Sequence, residues 1–357
     1  MRWKAPVAAA LVLAVLALGV VYAVARRPTE VSRRPWGIMG TASQLKAVVP
    51  RWRVGEAEAA LAGAEGALRA VEARMSTYIE LSELSRLNAA PAGEVVALSA
   101  ETLAVLRLAR GLHGQTAGAF DATCLGLFGL WARAGKIGRL PTDAEVAAVR
   151  ATCGWEKIEL LAGGARKRLA GAGIGLGGIA KGYAIDRALE TIRRAGCDGG
   201  LVDVGGDVRC FGASARGDPW RVGVRNPFDT RGGAFFGTLA VRDEAVCTSG
   251  NYERYSEIDG KRYSHIVDPR TGRPVDLAPS VTVVAPTAAL ADGWATALSV
   301  LGPAGLGCLP RDGGIDAMVV VGGPADYTIH QTAGFARRLA SLVPAAPGGT
   351  KVVTGCR

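Results

Sequence analysis

GAGIGLGGIAKGYAID, residues 171–186, sets two readings of the chain against each other. Gly173, Gly175 and Gly178 satisfy G-x-G-x-x-G, and an acid, Asp198, stands twenty residues past the last of these glycines. In a dinucleotide-binding fold this fingerprint follows the first strand of a parallel sheet and opens a helix, with the acid at the end of the second strand. A helix does follow here: Ile179, Tyr183, Ala184, Leu189 and Ile192 fall roughly on one face of a helix predicted over 179–196. The upstream run KIELLAGGARKRLAGAGIGL, however, turns at Ala162-Gly163-Gly164 and reads as a hairpin. Asp198 lies before the next strand rather than at its end. A nucleotide oxidoreductase is therefore disfavoured. A Walker A loop is excluded, because Gly182 and not Ser or Thr follows Lys181. What remains is a glycine turn entering a helix N-terminus, where free N–H groups and the helix dipole attract anions, with Lys181 adding a point charge. The bland alternative is a tight turn that packs a helix against a sheet.

Outward from this turn, helices fall early and strands late. Helices are predicted over 54–75, over 98–111 with Ser99 as N-cap, over 142–152, and later over 288–301. Residues 36–41, WGIMGT, read as a short strand ending in a turn, and 76–96 as a polar loop. LVDVGGDVRCFG, WRVGVRNP, GTLAVRDEAVCTSG and RYSHIVDP read as short strands, with DAMVVVGG as the last. That order predicts an α+β fold with mixed antiparallel sheets and packed helices, not a doubly wound sheet.

Composition narrows the function classes. The chain has 357 residues, 49% hydrophobic and 21% charged, enough for a real core. The net charge of +10 is scattered, with no basic block interleaved with aromatics, so no nucleic-acid partner is expected. An anionic small molecule suits the charge equally well. The seven cysteines form no C-x-x-C and no zinc spacing, and read as small buried hydrophobes. Arg2 and Lys4 precede an apolar run, Ala5 to Ala25, that is long enough to cross a bilayer. An uncleaved N-terminal membrane anchor over 1–25 is expected, or else a signal peptide cut after Ala23-Val24-Ala25. Either places the body of the protein outside the cytoplasm, at the periplasmic face of the inner membrane. Residues 26–35 read as a linker, 36–345 as one catalytic domain and 346–357 as a tail.

Two polar constellations carry chemistry. The stretch 248–274 gathers Thr248, Ser249, Tyr252, Tyr255, His265, Asp268, Arg270 and Thr271 in a compact hairpin. His265 is one of only three histidines, and its surroundings suit a proton-transfer role as well as a structural one. Asp292 and Thr296 are four apart on the 288–301 helix and share a face. A carboxylate with a hydroxyl suits a hard cation such as Mg²⁺, which completes its shell with phosphates and water. Asn88 and Asp121, in SELSRLN and GAFDAT, either touch a ligand ring or build turns.

Read in order, GIMGT, MSTYxxxSELSRLN, GAFDAT, LGGIAKGYAIDRA, LVDVGGDVRCFG, TSGNYERY, YSHIVDPRTGRP and ADGWATAL resemble the FAD:protein FMN transferases, the ApbE-like flavin transferases. The resemblance implies a T-fold-like single domain that binds FAD and Mg²⁺. It implies transfer of FMN to a threonine or serine of an exported electron-transfer partner, with release of AMP. It implies FAD contacts from Met39, Tyr78, Ala119, Phe120, Asp121, Lys181, the position of Gly175 and the backbone near Ile266. It implies metal ligation by Asp292, Thr296 and the Gly178 carbonyl. His265 is the expected proton acceptor. Many relatives carry Asp where this chain has Gly175, which leaves two alternatives open: an FAD carrier for a redox complex, or an FAD pyrophosphatase.

Overall fold

The structure is a computed structural model that describes residues 4–229, 234–250, 255–342 and 351–355, without the side chains of 4–8 and 341–342. Helices are α1 (Lys4–Ala25), α2 (Val54–Met75), α3 (Glu83–Ala89), α4 (Ala100–Gln115), α5 (Leu125–Ile137), α6 (Asp143–Arg150), α7 (Ala180–Arg194), α8 (Ala288–Leu301) and α9 (Ala333–Arg338). Strands before the glycine turn are β1 (Pro28–Arg33), β2 (Ser43–Pro50), β3 (Val96–Ala97), β4 (Ile158–Leu160) and β5 (Gly164–Lys167). After α7 come β6 (Gly199–Val204), β7 (Asp207–Gly212), β8 (Trp220–Arg225), β9 (Phe235–Val241), β10 (Ala245–Gly250), β11 (Tyr255–Ile258) and β12 (Lys261–Ser264). The last are β13 (Val267–Asp268), β14 (Arg273–Pro274), β15 (Ser280–Ala285), β16 (Asp316–Gly323), β17 (Asp326–Thr332), β18 (Leu339–Leu342) and β19 (Lys351–Gly355).

One sheet organises the molecule, in the order β1-β2-β6-β7-β10-β15-β16-β17-β19. Every pair in it is antiparallel except β17 with β19. Alternate residues of a strand face opposite sides, and the sequence uses both. Ala245 and Cys247 of β10 and Val281 and Val283 of β15 join the core under the helices. Val246 and Val284 join a second core under the small sheet β18-β9-β8. The helix face holds α2, α7 and α8. On α7 the residues Ala184, Ile185, Ala188, Leu189 and Ile192 are buried, a stripe at helical spacing. Nearly all of α8 is buried, around Trp294 at 0% exposure, as expected of a helix enclosed by other elements. The α+β reading holds, and the sheets do not close into a barrel.

Several expectations need correction. The stretch read as a linker, 26–35, contains β1, which pairs with β2 from Pro28↔Pro50 to Arg33↔Leu45. Its Arg/Pro composition hid a strand because an edge strand tolerates Pro and charge. The expected tail contains β19, and DAMVVVGG is followed by β17, β18 and β19 rather than ending the fold. WGIMGT forms only an isolated bridge, Ile38↔Thr41, because Gly37, Met39 and Gly40 all take positive φ, which a strand cannot use. The polar loop 76–96 holds α3, capped by Ser82, whose Oγ accepts the Ser85 N–H at 2.9 Å. α2 spans the expected Val54–Met75 and β4 and β5 form the hairpin, while α7 runs Ala180–Arg194 inside the expected 179–196 and α4, capped by Ser99, runs on to Gln115 past the expected 111. The apolar N-terminal run is the helix α1. Among the described residues no helix is long and apolar enough to cross a membrane. Described cysteines are unpaired, and Cys356 lies outside the described residues.

Candidate active site

The glycine turn brings α7 against α8. Gly182 lies at the crossing, where an added Cβ would overlap the Ala288 carbonyl, so only a bare backbone can approach this closely. The Gly182 N–H donates to Asp292 Oδ2 at 3.0 Å. One helical turn further along α7, Asp186 accepts the N–H groups of Ala288 (2.8 Å) and Ala289 (3.0 Å) and so caps the start of α8. Arg209 donates to the same carboxylate at 2.7 Å. These bonds fix Asp292 and Thr296 relative to the turn. Thr296 Oγ1 lies 3.4 Å from the Gly178 carbonyl oxygen, and a Cβ on Gly178 would meet that hydroxyl at 2.8 Å and the Phe120 ring at 3.3 Å. Asp292, Thr296, Gly178 and Phe120 thus converge, and Lys181 adjoins them.

Lys181 Nζ pairs with Asp207 Oδ2 at 2.7 Å. Asp207, at the start of β7, is buried and also accepts the Thr248 N–H at 2.9 Å. Burial, and after it the charge of Asp207, raise the Asp292 carboxyl from 3.8 to about 7 against the pull of Lys181 and the Gly182 N–H. Burial alone would lower the Lys181 ammonium, but the charges of Asp207 and Asp292 outweigh it and hold Lys181 protonated. Such a carboxyl marks a buried negative charge short of positive neighbours. The candidate ligands are all oxygen, a carboxylate, a hydroxyl and a carbonyl, while the neighbouring Cys247 thiol is pushed far up by burial and donates to the Ala288 carbonyl. This set fits a hard divalent cation. Among the described residues no cluster of three or more His, Cys, Asp or Glu could hold a metal.

The helix start is less open than the sequence implied. The Ile179 and Ala180 N–H groups both donate to the Leu176 carbonyl, at 3.0 and 2.8 Å. The N-cap residue Ile179 offers no side-chain cap and α7 carries no acid of its own in the first turn, where Asp292 of α8 takes the Gly182 N–H instead.

GAFDAT docks on the same turn through the Gly175 N–H to the Ala122 carbonyl, 2.8 Å. Ala119 and Phe120 are buried, and Asp121 Oδ1 accepts the N–H (2.8 Å) and hydroxyl (2.7 Å) of Thr123, while Oδ2 lies 3.5 Å from His113 Nδ1. Asn88 proves to be a turn builder: its amide donates to the Ile174 carbonyl and accepts the Ile174 N–H, both at 2.8 Å. A cavity of about 460 Å³ opens beside Asp121, among His113, Arg150, Cys153 and Arg270, and does not extend to Asp292.

Ile266 packs against Ala119 and Val300, the residue one turn beyond Thr296 on α8. Its N–H donates to Ser264 Oγ (3.0 Å) and its carbonyl accepts from Val275 (2.9 Å), so a ligand there meets a backbone already bonded. His265 is exposed on the bend between β12 and β13. Tyr252 lies outside the described residues. Met39 and Tyr78 are set by the far end of α2: the Met39 N–H donates to Glu72 at 2.8 Å, and Tyr78, 95% exposed, follows three residues after Met75. Among the described residues no hydrogen bond joins either to the Gly178–Asp292 cluster. Sequence reading missed Asp207, Asp186 and Gly182. The available signal was an acid directly after a Gly-Gly turn inside apolar strands.

A carboxylate, a hydroxyl, a carbonyl and an ammonium gathered at a glycine turn are the donor types that a phosphate-bearing ligand with a hard cation takes. A family model described as the ApbE family matches residues 39–319. The chain belongs to the ApbE family. A FAD:protein FMN transferase of Vibrio cholerae serotype O1 is 39% identical over 240 residues, 66% of this chain and 71% of that protein. One from Haemophilus influenzae is 32% identical over 296 residues, 80% of this chain and 85% of its own. The solved flavin transferase ApbE from Vibrio cholerae matches with a TM-score of 0.76 at 30% identity, over 87% of this chain and 100% of that one.

Proposed function

We propose that this chain is a Mg²⁺-dependent FAD:protein FMN transferase that moves FMN from FAD to a threonine or serine of an exported partner and releases AMP. The observation that carries the reading is the convergence of Asp292 and Thr296 on the Gly178 turn, held by the Gly182–Asp292 bond. The names of its relatives support the substrate. Asp292, Thr296 and the Gly178 carbonyl would hold the cation, which when bound supplies Lewis-acid charge withdrawal at the pyrophosphate. Lys181 and the positive end of α7 bind the pyrophosphate. Phe120, Ala119 and the backbone at Ile266 form an apolar wall for the flavin nucleotide, with Asp121, Met39 and Tyr78 as further contacts. His265 takes the proton of the acceptor hydroxyl as its oxygen attacks the FMN phosphorus and the AMP oxygen leaves. The exposure of His265 suits a group that must meet another protein. An N-terminal anchor over residues 1–25, with the domain on the periplasmic side, rests on the apolar run of the sequence alone.

The test is incubation of the full chain with FAD, Mg²⁺ and an acceptor bearing a threonine flavinylation site. Mass spectrometry should find the acceptor heavier by one FMN, with AMP released, and both lost with EDTA or Asp292→Ala. AMP without the adduct would favour the pyrophosphatase reading. Bound FAD with neither product would favour the carrier, the reading that Gly175 brings forward.

A further inference from the structure

Around the glycine turn one ammonium meets the charges of two buried acids. Lys181 is seated on Asp207, 2.7 Å away. Asp207 is fixed from behind: its other oxygen accepts the Thr248 N–H at 2.9 Å, and the Thr248 hydroxyl shares a 3.0 Å hydrogen bond with the Thr282 hydroxyl. Asp292 is bound one residue further on, since its Oδ2 takes the N–H of Gly182, the residue after Lys181. Lys181 feels the charge of both acids. The flexible four-carbon stem of a lysine can reach more than one partner around its own Cα. An ammonium seated on Asp292 would fill the carboxylate that a divalent cation needs.

We infer that Asp207 is a positioning residue that holds Lys181 away from Asp292, keeping that carboxylate open for the cation and the ammonium turned toward the phosphates. The inference rests on the metal reading above. It differs from a plain charge effect. If Asp207 acted only by adding negative potential, its removal would weaken cation binding equally with or without Lys181. If it acts by holding Lys181, the loss depends on Lys181 being present.

A double-mutant cycle on the full chain separates the two. Mn²⁺ is the probe, without FAD, and free Mn²⁺ is read by electron paramagnetic resonance. Asp207→Asn keeps an acceptor for the Thr248 N–H and removes the charge; Asp207→Ser is the second choice should Asn disturb the turn. Lys181→Met removes the ammonium and keeps the stem. Asp207→Asn should weaken Mn²⁺ binding about tenfold more in the presence of Lys181 than in the Lys181→Met background, within the range of coupling between neighbouring groups. Equal losses in both backgrounds overturn the inference and leave the metal site standing. Asp292→Asn is the control. Binding undiminished by that change would remove the metal reading, and this inference with it.

Discussion

The N–H of Gly182 on α7 donates to the carboxylate of Asp292 on α8 across 3.0 Å, at a crossing too close for any side chain on the glycine. The Asp292 carboxylate and the glycine turn are thus tied by one hydrogen bond from a backbone N–H. A glycine with no chemistry of its own sets the geometry of the site.

Gly182→Ala tests that directly. The added methyl meets the Ala288 carbonyl, a backbone atom that cannot rotate away. Overpacking of this kind costs about 1–3 kcal/mol. Thermal unfolding should shift down, and Mn²⁺ affinity should fall with it. An unchanged melting temperature would mean that the helices separate freely.

The pH dependence follows from Asp292. Its carboxyl rises from 3.8 to about 7 in the fold. A group that holds its proton more tightly folded than unfolded takes up a proton on folding between those values, so its contribution to stability falls as pH rises through that window. Asp292→Asn, compared with the wild type in metal-free buffer, should be relatively more stable at pH 7 than at pH 4. Mg²⁺ should restore wild-type stability at pH 7 and do nothing for the variant, because cation binding displaces the proton. Parallel stability profiles of the two proteins would count against the assignment.

Asn88→Ala separates structure from ligand contact. The change strips both partners from the Ile174 peptide group. Leaving buried backbone groups unpaired costs about 1–3 kcal/mol each. Denaturant unfolding should show the loss, while FAD affinity of the folded fraction stays within about twofold. A large drop in affinity with full stability would make Asn88 a ligand residue.

His265→Ala should leave FAD binding intact and slow transfer by about 10²–10⁴-fold, the usual range for a general base. Flavin fluorescence titration measures the first and acceptor mass the second. Full transfer by the variant would remove His265 from the mechanism.

Gly175 has ordinary backbone angles, so a side chain is permitted, but its Cβ would meet Leu125 Cδ1 at 3.1 Å. Gly175→Asp alone should cost stability through that contact, and Gly175→Asp with Leu125→Ala should recover FAD binding better than either change alone. Flavin titration of the three variants reads this.

What the sequence disclosed follows physical range. Local signals were strong where caps and periodicity agree, as at Ser99, along α2 and α7, and in the hairpin at 162–164. The Asp292/Thr296 pair was legible because four residues make one helical turn. Asp207 was not, because its partners are Lys181 and Thr248, 26 and 41 residues away, joined only by the sheet order. β1 was hidden for a related reason: an edge strand is recognised by its partner β2, not by its composition. Asp186 takes its role only from α8 beside it, whose first N–H groups it accepts.

The first strand has a mechanical meaning. Only Arg26 and Arg27 separate α1 from β1, and the Arg27 carbonyl is itself held by the Arg51 N–H at 3.1 Å. The chain has no leash at this joint. Whatever fixes α1 therefore fixes the edge of the main sheet as well, because β1 is paired with β2 along its whole length.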